Sequence, residues 1–228
     1  MLRIGGKATR GVKGSRNAIC DGYKNIDVTS GSRVKIGAYS GRDFSPIVGN
    51  LRVIDDGREF QQFENWWQGN KAYKHLNHIK KRGSGSGFVT TNEFKHFQDK
   101  WAKAPKGKRT PPEIKLNGTT AKPVFGVYDG KQYGYAAARW QYTAKYCEAV
   151  KKTGVFWELA KILQNGENIM LIDHDAPSSK DNPQGISIDW NTIDEKLNDL
   201  RHPYGHGYII AAMLLNVSTS TDFDCSDE

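Results

Sequence analysis

Polar and apolar residues alternate in three short segments near the start of the chain. The alternation covers residues 21–54, in "KNIDVTS", "RVKIGAYS" and "NLRVIDDG", the last of which continues to residue 57. Because successive side chains of a strand point to opposite sides, this alternation predicts short strands separated by turns. The segment "DDGREF" that follows predicts a turn.

Large apolar residues then recur every three or four positions in "FENWWQGNKAYKHLNHIK". This spacing predicts a helix over residues 63–80. Glu64, Gln68 and Lys71 follow one another at intervals of four and three, so they share one stripe of that helix, and Trp67 lies on the same stripe. A helix that serves only the core has no need of these three polar side chains.

A hairpin and a long helix are predicted shortly after the midpoint of the chain. "KPVFGVYDGKQYGYAAARW" is typical of a hairpin with its turn at Asp129 and Gly130. A helix should cover residues 141–164, and Gly166 in "NGEN" is a natural residue to end it.

A buried strand and two further helices complete the predicted elements. The apolar run "IMLIDHD" predicts a buried strand. Thr192 and Glu195 have capping-box spacing, which predicts that a helix starts there. "HPYGHG" precedes a last apolar helix that contains "YIIAAMLL".

The strand "IMLIDHD" ends in two carboxylates. Asp173 and Asp175 project to the same side of an extended backbone. Such carboxylates commonly face a cleft, although a structural cap or turn explains Asp173 equally well. His206 lies between two glycines before the last helix, where it can bind phosphate or fill a tight turn, and the turn is slightly favoured.

Composition indicates one folded domain. The chain has 228 residues, of which 37% are hydrophobic, and its six tryptophans, ten tyrosines and nine phenylalanines provide large buried areas. We expect a single domain over residues 1–218 and an acidic, disordered tail over residues 219–228. The longest apolar run is too short to cross a bilayer, and no apolar segment follows the basic N-terminus as in a secretory signal.

The three cysteines are widely spaced and odd in number. They match neither a disulfide framework nor a zinc pattern, so a cytoplasmic protein without metal or other cofactor is the simplest interpretation. Cys147 is placed within a predicted helix with no base near it, and no nucleophile elbow is present, so acyl chemistry is disfavoured.

The charge of the chain favours polyanionic partners. Residues 1–221 contain 33 basic and 21 acidic residues, a net charge of +12, because four acids lie in the last eight residues. Such a chain can bind DNA, RNA or nucleotide phosphates; the alternative is a basic surface that serves solubility alone. "KKRGSGSGFV" fits a flexible loop better than a phosphate cradle, and "KWAKAPKGKRTPPEIKLNG" predicts a basic surface loop.

Two blocks of the sequence resemble the NADAR/YbiA-like superfamily. The first, "FSPI…DGREFQQFENWWQGNKAY", is similar to the opening motif of that superfamily at Phe44, Ser45, Glu64, Trp66, Trp67, Gln68 and Lys71. The second, from "ARWQYTAKYCEAV" to "HPYGHGYIIAAMLL", resembles a divergent branch found in phages and other genomes. Where founding members have an Asp…Trp-Gly phrase, this chain has "DNPQGIS", with no tryptophan before Gly185.

The resemblance implies an α+β fold, mostly helical with a small sheet, and N-glycosidic bond chemistry. The expected substrate is a ribosylated base or an ADP-ribosyl adduct, on a nucleotide or on nucleic acid. Cleavage of a C1′–N bond develops positive charge on the sugar, which a carboxylate stabilises. The carboxylates expected to take part in catalysis are Glu64, Asp173 and Asp175.

The same resemblance implies a set of substrate-binding residues. Trp66 or Trp67 would stack on the base or sugar, and Gln68 would hydrogen-bond the leaving base. The side chains expected to contact phosphate are Lys71, Arg139 and His206. The alternative is a protein without catalytic activity that binds nucleic acid or a nucleotide through its basic and aromatic residues, such as a phage counter-defence or DNA-modification accessory protein.

Overall fold

A computed structural model describes residues 1–8, 13, 15–83, 87–105, 107 and 112–219, and these residues form an α+β fold. Its α-helices are α1 Phe63–Gly69, α2 Asn92–Ala102, α3 Tyr135–Lys151, α4 Gly154–Gln164, α5 Trp190–Asn198 and α6 His206–Thr219. Its strands are β1 Leu2–Gly6, β2 Lys24–Asp27, β3 Lys35–Ile36, β4 Tyr39–Ser40, β5 Val53–Asp55, β6 Arg58–Phe60, β7 Lys71–Ala72, β8 Ile79–Lys81, β9 Phe88–Thr90, β10 Lys115–Leu116, β11 Thr119–Thr120, β12 Phe125–Tyr128, β13 Lys131–Tyr133, β14 Ile169–Asp173 and β15 Ile186–Ser187. Short 3-10 helices cover Gly41–Phe44, Lys74–Leu76 and Pro112–Ile114.

The chain divides into two compact units. One, the terminal unit, combines Met1–Ser45 with the segment that starts at Tyr146. The other, the central unit, is the continuous segment Pro46–Lys145. Among the described residues, no helix has both the length and the apolar character required to cross a membrane.

The terminal unit contains a four-stranded sheet in the order β15, β1, β14, β2. β14 runs parallel to β1 and to β2, whereas β15 is antiparallel to β1. All five residues of β14 are buried, which confirms the buried strand that its continuous apolar sequence predicts. The sequence did not predict β1, because its "LRIGG" segment is short and ends in two glycines.

The long helix predicted over residues 141–164 is wrong in its extent, because the chain forms α3 and α4 instead. Thr153 between them has an extended backbone, and its hydroxyl donates to the Val150 carbonyl at 2.7 Å. Gly154 follows, at a position where a Cβ atom would lie only 2.0 Å from the Tyr39 hydroxyl oxygen. Gly166, with φ of +84°, comes just after the end of α4 as expected.

The helix predicted from a capping box at Thr192 and Glu195 exists, but it starts earlier. Asp189 is its N-cap, and the carboxylate of Asp189 accepts a hydrogen bond from the Thr192 backbone N–H at 2.7 Å. Thr192 is therefore inside α5 and cannot cap it. The last predicted helix is confirmed as α6.

The central unit is built from small hairpins and two helices. The predicted turn at Asp129 and Gly130 is confirmed between β12 and β13, and both residues have positive φ values of 47° and 71°. β12 also pairs with β7, where Phe125 lies opposite Ala72. The segment "DDGREF", predicted as a turn, includes the last residue of β5, the turn between β5 and β6, and all of β6.

The helix predicted over residues 63–80 is also too long, since α1 ends at Gly69. A Cβ atom at Gly69 would lie 2.7 Å from the Trp101 Cβ, so this helix packs at very short range against α2. Asn70 is buried, and its side chain donates to Asp55 at 3.1 Å and accepts from Gln98 at 2.6 Å. These bonds hold Asn70 at the helix end, and the chain continues as β7.

Three predicted irregular segments are only partly described. In "KKRGSGSGFV", β8 and β9 form a hairpin on either side of residues 84–86, which lie outside the described residues. The basic segment 100–118 starts inside α2 and ends in β10 and the turn to β11, so it is not loop throughout. The predicted acidic tail lies outside the described residues beyond Thr219.

Candidate functional site

A buried carboxylate, Asp55, fixes the position of α1 in the central unit. Its Oδ2 accepts hydrogen bonds from Trp66 Nε1 at 2.5 Å and from Asn70 Nδ2 at 3.1 Å. Its Oδ1 accepts from the Asp129 backbone N–H at 2.7 Å. Burial raises the pKa of the Asp55 carboxyl above its usual range, while the bonds from Trp66 and Asp129 act in the opposite direction. The sequence does not predict a buried Asp55, because a carboxylate before a Gly turn is usually exposed.

Trp66 is part of the core, so its predicted role as a wall for the substrate is wrong. Its side chain is 0% exposed. Its ring lies 5.0 Å from the ring of Phe63 and 5.0 Å from the ring of Tyr128, measured between centroids. A fully enclosed ring has no face left for a ligand.

Trp67, in contrast, is half-buried. Its ring stacks on Tyr128 at 5.7 Å with an interplanar angle of 10°, and it meets Tyr142 edge-on at 4.9 Å. The Lys71 Nζ lies 4.5 Å from the centroid of the Trp67 ring, which is cation–π geometry. Trp67 is therefore the tryptophan of the pair that remains accessible beside the polar residues.

Glu64, Gln68 and Lys71 form a continuous chain of hydrogen bonds. Gln68 Nε2 donates to Glu64 Oε1 at 2.8 Å, and Lys71 Nζ donates to Gln68 Oε1 at 3.1 Å. The structure thus brings together the three side chains that the sequence placed on one stripe, although Lys71 belongs to β7 and not to the helix. Both atoms of the Gln68 amide are used in these bonds, so the amide orients the acid and the amine.

The Lys71 amine has an unusual acid–base character. Burial lowers its pKa to about 8, and the negative charge of Glu64 limits this decrease. At pH 8 about half of the Lys71 side chains are neutral amines. Such a lysine can donate or accept a proton near neutral pH, which an ordinary surface lysine cannot do.

Arg139 is 6% exposed, and its predicted contact with phosphate stays a prediction. Its guanidinium carbon lies 5.5 Å from the centroid of the Tyr135 ring, and its Nη2 donates to the Tyr135 hydroxyl at 3.3 Å. The guanidinium therefore has partners within α3. The reason is helical spacing, since Tyr135 precedes Arg139 by one turn.

In the terminal unit, Asp173 has the geometry of a structural cap. Its side chain is buried, with 1% of the residue exposed. Its Oδ2 accepts from the Gly207 backbone N–H at 2.9 Å, and its Oδ1 accepts from the His174 N–H at 2.8 Å. A carboxylate at the N-terminus of a helix is stabilised by the free N–H groups there. This geometry agrees with the capping alternative for Asp173, and its role as a catalytic acid stays a prediction.

Asp175 lies beside Asp173 at the start of α6. A Cβ atom at Gly205 would lie 2.4 Å from Asp175 Oδ2 and 2.8 Å from Asp173 Oδ2, so both carboxylates approach this glycine. Part of the Asp175 side chain is exposed, yet burial and the charge of Asp173 raise the pKa of its carboxyl above the usual range. His206 and His174 act in the opposite direction. The catalytic role of Asp175 stays a prediction.

His206 is buried, and its predicted contact with phosphate stays a prediction. Its Nε2 lies 2.9 Å from the Val28 carbonyl oxygen, and since a carbonyl can only accept, Nε2 donates this bond. Its Nδ1 lies 3.6 Å from Asp173 Oδ2. Both ring nitrogens thus face groups of the terminal unit, which agrees with the tight-turn alternative.

Apart from Trp66 and Arg139, the predicted site residues fall into two sets. Glu64, Trp67, Gln68 and Lys71 form one cluster in the central unit, which we call the Glu64 cluster. The second set comprises Asp173, Asp175 and His206 of the terminal unit. Across the described part of the chain, no three His, Cys, Asp or Glu side chains are grouped in a way that could hold a metal ion.

In comparisons with known proteins, no family model, no curated protein and no solved structure matches this chain. The resemblance to the NADAR/YbiA-like superfamily therefore stays a prediction, and the geometry of the Glu64 cluster has to be interpreted by its own chemistry.

The first prediction concerns the amine of Lys71. We expect a small acetylating reagent to modify Lys71 with a midpoint near pH 8, because burial lowers its pKa. An ordinary lysine, with a pKa of about 10.4, is less than about 1% neutral at that pH. Rates should be measured across pH by mass spectrometry of the modified peptides, with the exposed Lys95 as the comparison within the same unit.

The Glu64→Gln variant provides the control for this experiment. It removes the charge that raises the Lys71 pKa, so the midpoint should move to lower pH. A midpoint near pH 10 in the wild type, or an upward movement in the variant, would contradict the assignment.

The second prediction separates the roles of the two aspartates. Asp173→Asn should lower the free energy of unfolding by about 1–3 kcal/mol, because a carboxamide has one acceptor oxygen for two N–H groups, of which that of Gly207 is buried. Asp175→Asn should leave stability unchanged or raise it. Its raised carboxyl pKa means that the ionised form is unfavourable in the folded state, and this cost is present at pH 7.

Urea unfolding of the two variants at pH 7 measures this difference. Asp173 does not cap α6 if the free energy of unfolding falls equally in the two variants, or if it is unchanged in Asp173→Asn.

Proposed function

We propose that this protein is an N-glycoside hydrolase that cleaves the C1′–N bond of a ribosylated base or an ADP-ribosyl adduct. The observation that carries the proposal is the Glu64 cluster, in which a carboxylate and an amine with a pKa of about 8 are joined through one amide beside a half-buried tryptophan. The resemblance of the "FENWWQGNK" segment to the NADAR/YbiA-like superfamily supports the same chemistry.

Glu64 and Lys71 have different roles in the proposed hydrolysis, as general base and general acid. As the C1′–N bond breaks, its electron pair goes to the base nitrogen and positive charge develops on C1′ and the ring oxygen. The Glu64 carboxylate stabilises this charge and takes a proton from the water that attacks C1′. The Lys71 ammonium gives a proton to the departing base, and a pKa near the working pH suits a general acid.

Trp67 and Gln68 have supporting roles in the proposal. The accessible part of the Trp67 ring, which already stacks on Tyr128 and lies near the Lys71 amine, contacts the base and places the sugar next to Glu64. Gln68 keeps the carboxylate and the amine at a fixed separation through its 2.8 and 3.1 Å hydrogen bonds. Positioning of this kind lowers the entropy cost of reaching the transition state.

The third prediction tests the catalytic carboxylate. The protein should release a base or a sugar from at least one member of a panel of ADP-ribosylated nucleic acids, ADP-ribosylated guanine and ordinary nucleosides, as detected by mass spectrometry. Glu64→Gln should keep the fold, because glutamine can still accept the bond from Gln68. It should lower kcat by about 10²–10⁴-fold, since glutamine carries no charge and takes no proton.

Glu59→Gln is the matched control, because Glu59 is an exposed acid of the same unit that pairs with Arg52. Its turnover should equal that of the wild type. Undiminished turnover in Glu64→Gln would remove Glu64 from the mechanism.

A second candidate function is binding of nucleic acid or a nucleotide without catalysis. The distribution of charge favours it, because Pro46–Lys145 contains 18 basic and 8 acidic residues, while the rest of the chain contains 15 basic and 17 acidic residues. The central unit alone therefore has an excess of positive charge, as polyanion-binding domains do. Tight binding with no release of base or sugar from any substrate would favour this function.

A further inference from the structure

A groove of about 610 Å³ lies on the central unit beyond the paired strands β7 and β12. It is lined by Lys74, His75, Leu116, Thr119, Thr120, Ala121 and Lys122. The backbone N–H of Val124 donates to the Ala72 carbonyl at 2.8 Å, which continues the ladder of the two strands to the edge of the groove. The hairpin of β10 and β11 supplies the threonines and Leu116.

The groove has a positive charge that nothing in the described residues neutralises. Lys74 and Lys122 are exposed, and no carboxylate belongs to the described lining. One acidic residue, Glu113, contacts a lining residue through its backbone. Its carbonyl oxygen lies 3.2 Å from His75 Nε2. The Glu113 carboxylate itself pairs with Lys100, so its charge is already balanced.

The other lining residues indicate which polyanion fits. The hydroxyls of Thr119 and Thr120 can donate to phosphate or sugar oxygens. Leu116 exposes 51% of its surface in the same groove, although an apolar side chain adds nothing to a contact with phosphate. Single-stranded nucleic acid offers both phosphates and unpaired base faces, whereas a duplex hides its base faces in the stack.

We infer that this groove binds a short stretch of single-stranded nucleic acid, with its phosphates on Lys74 and Lys122 and a base against Leu116. The inference deepens the proposed function, since it makes a polynucleotide the carrier of the scissile adduct. Lys74 follows Lys71 by three residues, a separation of about 10 Å along an extended chain. The groove and the Glu64 cluster are therefore close along the chain, although side chains three residues apart in an extended segment point to opposite sides.

The fourth prediction uses charge-neutralised variants. Lys74→Gln/Lys122→Gln should weaken binding of an unmodified single-stranded oligothymidylate. It should also reduce the slope of log affinity against log salt concentration by about 1.4, because each lost phosphate contact removes about 0.7. Fluorescence anisotropy at several salt concentrations measures both quantities.

The control is Lys95→Gln/Lys131→Gln, which removes the same charge from two exposed lysines of the central unit outside the groove lining. This variant should keep the wild-type slope. The inference is overturned if both double variants lose the same slope, if the wild type does not bind the oligonucleotide, or if a duplex of equal length binds more tightly than the single strand.

The two proposals fail in different measurements. Oligonucleotide binding requires no cleavage. The binding measurement therefore tests the groove proposal whether or not the protein hydrolyses a substrate. If hydrolysis is found, the groove variant should raise KM for an adduct within an oligonucleotide and leave kcat/KM for the free nucleotide adduct unchanged. If the groove variant changes the kinetic constants of both substrates equally, the groove does not bind the oligonucleotide, but the hydrolase proposal is unaffected.

Discussion

The buried carboxylate of Asp55 is the constraint on which the central unit depends. A carboxylate removed from water is costly unless hydrogen bonds replace those of the solvent, and Asp55 receives three, from Trp66, Asn70 and the Asp129 backbone. These donors come from the middle of α1, from the residue that ends α1, and from the turn of the β12–β13 hairpin. One side chain therefore ties strand, helix and hairpin together, and it requires Trp66 to point into the core.

The accessible side of α1 follows from this arrangement. With Trp66 enclosed, Trp67 is left half-buried, and Glu64 and Gln68 lie near it with part of their surface accessible. Asn70 ends the helix because its side chain bonds to Asp55 and Gln98, and the turn into β7 brings the Lys71 amine over the Trp67 ring and onto Gln68. The partial burial that this position imposes is also what lowers the Lys71 pKa to about 8. The acid–base chemistry proposed for the cluster is thus a consequence of how the helix ends.

Local sequence patterns correctly predicted the elements that depend on interactions between neighbouring residues. The apolar run of β14, the positive-φ turn at Asp129 and Gly130, and the last helix each depend on neighbouring residues. Helix lengths could not be predicted, because Gly69 meets Trp101 and Gly154 meets Tyr39 across long separations in sequence. For the same reason two adjacent tryptophans with equal propensities have different roles, and Asp173, which ends a buried strand as a site acid would, caps a helix 33 residues further on.

The central claim is that the Glu64 cluster directs water to C1′ of a ribosylated base. Hydrolysis of ADP-ribosylated guanine, free or within an oligonucleotide, in water enriched in ¹⁸O tests this claim most directly. Mass spectrometry of the products should find one ¹⁸O atom in the released sugar and none in the base, since the C1′–N bond is the one that breaks. Release of an unlabelled sugar, appearance of the label in the base, or absence of any release while the protein binds the substrate would contradict the account.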